Sequence, residues 1–398
     1  MATKCGSSRD AISELPADVK ERILERLPTR DAARTAILST RWRDVWLGQG
    51  RIVIDLDLLQ GVQRCEGDKS YAFVNIINDI LLRHAGPVKK FALCIYLQGH
   101  KLQQSDLDRW LLFLSRNGIQ ELTISIPGSN LEYKYQLPYC IVSCPTIKQL
   151  ILGYFSFDLS IKASCIFSNL TSLVFERVQF SDKINGIVYN IPNLEKLGFY
   201  YCLGISNFGI RVPKLESLSI IGRIQAAELR WVAFHLKAIK TLCLDHFSLH
   251  EDFVLAASVF PIAINLQVIK LYRLNFANGM EFTVALQLLK KSPNLCELEI
   301  QASCFTCSTE DTRLPADHGC IIDQDLKMLH TIKIELFTGS KVEMFFVKML
   351  LSKSPALEKI VIQDFNDPNL SMPLKISREL LRFPRVSPKA QVVYMDDI

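Results

Sequence analysis

The chain has 398 residues, enough for more than one folding unit or for one elongated unit. With 49% hydrophobic and 22% charged residues it can bury a substantial core, which excludes wholesale disorder. The formal charge of +5 is spread without blocks of like sign, so the basic stripe of a nucleic-acid binder is missing, and no stretch is long and apolar enough to span a bilayer.

The polar opening, Met1 to Asp10, lacks the apolar segment of a secretory signal. Twelve cysteines are scattered along the chain and form no compact framework. Free, mostly buried thiols in a reducing cytoplasmic or nuclear setting are therefore expected.

Residues 10–50 predict three short helices. Pro16 suits the first turn of the first helix, and Val19, Ile23 and Leu27 share one face with Leu24 beside it. Pro28 stops that helix, and Thr29 is the predicted N-cap of a second one running through Ala32, Ala36 and Ile37 to Leu38. Ser39 is placed to cap a third helix carrying Trp42, Val45 and Trp46, which ends at Gly48. About forty residues rarely make a stable core unaided. Two readings of Leu15, Ile23, Leu27, Leu38, Trp42 and Trp46 stay open on periodicity: packing onto the body behind, or a surface kept for a partner.

The motif carried here is Ile12-Ser13, Leu15-Pro16, Ile23-Leu24, Leu27-Pro28-Thr29, Asp31-Ala32, Arg34-Thr35, Leu38-Ser39 and Arg41-Trp42-Arg43 with Trp46. It resembles an F-box, of the plant type that continues as a leucine-rich-repeat and FBD protein. The resemblance implies docking on a Skp-type adaptor and, through it, on a cullin–RING ubiquitin ligase. The positions matching the docking surface are Leu15, Pro16, Ile23, Leu27, Pro28, Leu38, Ser39 and Trp42. Lys20 departs from the family, which carries an apolar residue there. It is expected at the edge of the interface beside Val19, with its stem snorkelling.

Residues 51–118 read as a transitional segment. Over 119–345 leucine-like residues recur at i, i+3 and i+5, beginning with Ile119/Leu122/Ile124, Ile147/Leu150/Leu152 and Leu170/Leu173/Phe175. The units that follow are Leu194/Leu197/Phe199, Leu215/Leu218/Ile220, Ile239/Leu242/Leu244, Leu266/Ile269/Leu271, Leu295/Leu298/Ile300 and Leu329/Ile332/Ile334. A last one, Leu357/Ile360/Ile362, falls beyond them. Intervals run from 21 residues (Leu194 to Leu215) to 34 (Leu295 to Leu329), around the leucine-rich-repeat period. Each unit reads as one short strand and a return segment, helical over Phe282 to Lys291 and Val342 to Ser352. A single unit cannot bury both faces, so neighbours must stack. The asparagine that usually follows the strand is missing.

Residues 346–398 resemble the FBD module: a helix, the Ser354-Pro355 turn, a strand over Leu357 to Ile362, then a helix into Phe383-Pro384-Arg385 and a closing strand, Ala390 to Tyr394. Its expected role is to cap the last repeat. The predicted class is thus α/β: a three-helix F-box, an irregular leucine-rich-repeat solenoid and a C-terminal FBD cap.

Residues between the leucines point away from the core and line the presented face. Among them Glu176, Tyr200, Asp245, Tyr272 and Glu299 are the candidate substrate contacts, in a row of mixed charge suited to a protein surface. Phosphate-binding glycine loops, zincin motifs and the nucleophile elbow are missing. Cys304, Cys307, His318 and Cys320 match no standard zinc spacing. No catalytic residue, metal or cofactor is expected. The resemblance implies a non-catalytic substrate receptor. The alternatives are a small-molecule receptor of the same architecture and an F-box protein acting outside a ligase.

Overall fold

Apolar residues two apart along an extended chain fall on one side of it, so each i+3, i+5 pair gives a strand one buried face. The i anchor turns in from the loop just before. In the computed structural model all three anchors of all ten units are buried, none more than 3% exposed. Residues 11–55, 69–94, 102–127, 135–159, 166–223, 231, 234–249, 262–303, 322–364 and 373–395 are described. The chain forms two compact units: Met1–Leu194 with Asn207–Pro213, and Glu195–Ser206 with Lys214–Ile398.

The first unit opens with helices α1 (Ala17–Arg26), α2 (Thr29–Thr35) and α3 (Thr40–Leu47). A parallel sheet follows in the order β1 (Arg51–Ile54), β2 (Lys90–Cys94), β3 (Glu121–Ser125), β4 (Gln149–Gly153) and β5 (Ser172–Glu176). Pairing is in one register, Ile52 to Phe91 to Leu122 to Leu150 to Leu173. Parallel strands need crossover connections. Here α4 (Lys69–Arg83) and α5 (Gln104–Arg116) provide two of them. They meet through the edge of Phe73 on Trp110, whose Nε1 donates to Asn78 Oδ1 at 2.8 Å. Phe157, Phe175, Phe180, Tyr189 and Phe208 fill the rest of the unit with edge-on and stacked ring pairs.

The second unit repeats the scheme with β6 (Lys196–Tyr200), β7 (Ser217–Ile221), β8 (Thr241–Asp245), β9 (Val268–Leu274) and β10 (Glu297–Ala302). It continues through β11 (Thr331–Phe337), β12 (Lys359–Asp364) and β13 (Gln391–Met395). Leu197, Leu218, Leu242, Ile269, Leu298, Ile332, Ile360 and Val392 stand in line across it. Its helices are α6 (Gly279–Lys290), α7 (Lys341–Lys353) and α8 (Pro373–Arg382). Asn278 caps α6, and Ser340 with Glu343 forms a capping box on α7. Phe276, Phe282 and Phe346 lock these two helices' repeats together.

The parallel ladder extends past the units recognised by spacing. Val88, Phe91 and Leu93 obey the same rule within residues 51–118, and all are buried. Gln49/Ile52/Ile54 and Ser387/Ala390/Val392 obey it with a polar first anchor, which hides them from a search for leucines. Ser387 compensates by donating its hydroxyl to the Leu357 carbonyl at 2.6 Å. A second device replaces the missing asparagine. Seven residues after the first anchor, Tyr154, Arg177, Tyr201, Gly222, Arg273 and Leu336 take positive φ, from 51° to 121°. That left-handed residue turns the chain so that Phe155, Val178, Cys202, Leu274 and Phe337 re-enter the core. Only Gly222 does so without steric cost.

Candidate functional site

The three opening helices close on a very small core. Leu24, Ala32 and Trp42 are buried, with Leu27, Val45 and Trp46 packed around them. Lys20, expected at an interface edge, turns inward. Its Nζ donates to the Ser13 carbonyl at 2.6 Å and lies 5.8 Å from the Trp42 ring centroid, a cation–π contact under the bundle. Ser13 donates to Ser39 Oγ, and Ser39 accepts from the Trp42 amide as the N-cap of α3. Pro16 and Pro28 are themselves the N-caps of α1 and α2. Thr29 is therefore not a cap; its Oγ1 accepts from the Val53 amide at 3.0 Å and ties the bundle to β1. Arg51 reaches the Leu27 carbonyl, and Ala85 N–H bonds the Leu47 carbonyl at 2.8 Å. The helices are thus held to the first strands by backbone-directed bonds.

With so few inward positions, much apolar surface stays out. Ile37 is 85% exposed, Leu38 67%, Ile12 61% and Ile23 36%. Pro16 and Pro28 are exposed, and Leu15, Leu27 and Ser39 are half-buried. Trp42 corrects the expectation: at 2% exposed it is the centre of the core and offers no ring to a partner. The reason is the Ser39 cap, which sets the start of α3 so that Trp42 falls inward over α1. Ile12 and Ile37 are the additions. Ile37 and Leu38 sit in the tight turn after α2, whose last amides bond three residues back. Two adjacent apolar side chains at a helix end, just before a capping serine, cannot both face so small a core.

The strand-face candidates fare differently. In the first unit Glu176 is half-buried at the end of β5, and burial holds its carboxyl above the usual range. In the second unit Tyr200 is half-buried, Tyr272 is exposed, and Glu299 takes the ammonium of Lys270 at 2.6 Å. Lys333 pairs with Glu335 at 2.5 Å in the same way. A depression lined by Tyr272, Glu299, Gln301, Lys333 and Glu335 holds about 150 Å³.

Asp245 corrects the sequence reading: it is 0% exposed and faces no partner. After β8 the chain winds into a 3-10 turn, His246–Ser248, and Asp245 caps it. Its Oδ1 accepts from the Ser248 amide (3.0 Å), the Ser248 hydroxyl (2.8 Å) and the Gly222 amide (3.0 Å), and its Oδ2 accepts from Arg273 Nη2 at 2.9 Å. Four donors offset the desolvation of a buried carboxylate.

Among the described residues no group of three or more His, Cys, Asp or Glu is set to hold a metal, and no helix is long and apolar enough to cross a membrane. Cys304, Cys307, His318 and Cys320 lie outside the described residues.

A short helical bundle with an uncovered apolar edge, followed by a leucine-anchored parallel ladder, defines an F-box leucine-rich-repeat protein. The F-box domain model matches residues 12–52, and the model described as "At1g61320/AtMIF1, LRR domain" matches residues 80–377. The Arabidopsis thaliana F-box/FBD/LRR-repeat protein At1g13570 is 30% identical over 98% of this chain and 100% of its own length. The F-box/LRR-repeat protein At3g03360 of the same plant is 26% identical over 58% of this chain and 47% of its own. A solved structure, the leucine-rich repeat-containing protein LegL7 of Legionella pneumophila, covers 86% of this chain and 91% of its own at 15% identity. Its TM-score is 0.38. The chain belongs to the plant F-box/FBD/leucine-rich-repeat family.

Proposed function

We propose that this protein is the substrate-receptor subunit of a Skp–cullin–F-box ubiquitin ligase. Its F-box docks on a Skp-type adaptor and its repeats hold a target protein. The observation that carries this reading is the pairing of a closed Leu24/Ala32/Trp42 core with an apolar edge, Ile12, Ile23, Ile37 and Leu38, that the described chain leaves in solvent. Apolar residues gathered in this way belong under another subunit. Leu15, Leu27 and Ser39, half-covered, and Pro16 and Pro28 complete the docking face, while Trp42 supports it from beneath.

The receptor performs no chemistry of its own: it raises the effective concentration of target lysines near the transferring enzyme. The working compartment is the cytoplasm or nucleus. Residues 346–398 act as the FBD module that closes the last repeats. On the strand face, the depression of about 150 Å³ is smaller than the roughly 300–1,000 Å³ of a small-molecule pocket.

Co-expression with a Skp-type adaptor tests the docking. The wild-type chain is expected to co-purify with it, and Ile37→Asp with Leu38→Asp to abolish the complex with the circular dichroism of the free chain unchanged. Binding that survives the double substitution sinks the docking assignment.

A further inference from the structure

We propose that Tyr201, Phe247 and Arg273, at the C-terminal rim of β6, β8 and β9, form the contact point for an acidic segment of the target, a carboxylate side chain next to an apolar one. This rests on the reading that the repeats bind a protein.

The cluster is built from below. Asp245 is fully buried with four donors on it, so the carboxylate that balances Arg273 is withdrawn from the surface. Arg273 is 37% exposed. Its Nη2 is shared between Asp245 Oδ2 at 2.9 Å and the Tyr201 hydroxyl at 2.8 Å, and its guanidinium lies 5.3 Å from the Phe247 ring centroid. Nε and Nη1 bond nothing among the described residues. An arginine pinned by one nitrogen, with the rest of its planar fork available, is set to receive a carboxylate.

Reaching Tyr201 takes Arg273 across two intervening strands, β7 and β8. Gly222 leaves the way open: a Cβ there would stand 3.0 Å from the Tyr201 Cα and 3.3 Å from its ring. Tyr201 and Arg273 are both left-handed residues, which carries their side chains over the rim and out of the strand row.

The exposed surface joins apolar area to positive charge. Tyr201, Leu203, Phe247 and Tyr272 are all exposed. Of the charges nearby, Lys270 and Glu299 cancel, as do Lys333 and Glu335. Arg223, next to Gly222, is exposed, and Arg273, although paired with Asp245 through Nη2, keeps Nε and Nη1 unbonded among the described residues. Rigid aromatics around an arginine are the composition of interface hot spots, and cationic charge over them selects acidic partners.

The test is selection of a phage-displayed library of random dodecapeptides on the purified full-length chain. Enriched peptides are expected to carry Asp or Glu beside Leu, Ile, Phe or Trp. A synthetic copy of the best one should bind at least tenfold more weakly to Arg273→Lys, which keeps a charge for Asp245 but loses the fork, and to Phe247→Ala, which removes the half-exposed ring beside the guanidinium and leaves the Asp245–Arg273 bond in place. Tyr201→Phe should weaken it severalfold. No enrichment, enrichment without an acidic residue, or affinity kept within twofold in both Arg273→Lys and Phe247→Ala overturns the proposal. Adaptor co-purification is followed in the same variants and should not change. Its failure in the wild type would tell against the ligase reading and leave the peptide result standing.

Discussion

The F-box bundle and the strand ladder place their apolar residues in opposite ways. Every leucine-like anchor of the ten spaced units is inside, because each strand has a neighbour on which to close. The bundle has three short helices, one buried tryptophan and four large aliphatic side chains left out. The ladder's anchors close on their own neighbours, whereas the bundle leaves Ile12, Ile23, Ile37 and Leu38 in solvent, the edge proposed above to dock on the adaptor. Burial, more than hydrophobicity, separates residues that fold the chain from residues left available to a partner.

Trp42→Ala gives the largest effect expected from that contrast. It empties the bundle core and should lower stability by about 3–5 kcal/mol, with Leu242→Ala in the ladder costing about 2–5 kcal/mol. Urea unfolding followed by circular dichroism measures both. A Trp42→Ala chain of wild-type stability that nevertheless fails to bind the adaptor would make Trp42 a contact after all. Ile37→Ala is the opposite case. Stability should change by no more than about 0.5 kcal/mol, as for other surface sites. Adaptor binding should weaken tenfold or more by calorimetry, about 1.4 kcal/mol.

Much of this was legible in the sequence, and the misses have physical causes. The strand period announces itself through leucine spacing, so β3 to β5 and β6 to β12 could be placed. The repeats of β1 and β13 open on Gln49 and Ser387, where a polar residue takes an anchor position and leucine spacing passes over them; β13 was nevertheless expected, as the closing strand Ala390 to Tyr394 of the FBD resemblance. β2 falls in a stretch read as transitional. Within the F-box, apolar character marked the right segment but not the direction of each side chain. Trp42 and Ile37 are both apolar, and only the cap at Ser39 decides which one points inward. Asp245 looked outward by alternation. Alternation stops where the strand gives way to a turn, and there a carboxylate satisfies amides better than it meets solvent.

A smaller effect lies in the α7 cap. Glu343 is buried, and desolvation raises its carboxyl above 4.5 although Thr338 and Ser340 donate to it. A folded value above the unfolded one means the folded chain binds the proton more tightly. That contribution is fully present below the unfolded value and is lost as pH rises through the folded one. Glu343→Gln keeps an acceptor for the cap and removes the titration. Its stability should therefore fall less than that of the wild type as pH rises from 4.5. Parallel wild-type and variant profiles in this window would mean that Glu343 titrates alike in both states.

The smallest effect should come from the solvated rim of the ladder, where Lys240 meets Glu216 at 2.6 Å with both side chains about half exposed. Water already screens these charges, and holding two long side chains in place costs entropy. A double-mutant cycle of Lys240→Ala and Glu216→Ala is expected to give a coupling below about 1 kcal/mol. Raising salt from 0.1 to 1 M shortens the screening length from roughly 10 to 3 Å and should reduce it further. The Asp245–Arg273 pair is the internal control. Its carboxylate is sealed from solvent, so its coupling should exceed that of the rim pair and resist salt. Equal couplings for the two pairs would mean that burial of Asp245 adds nothing, and that the rim and the sealed carboxylate belong to one electrostatic environment.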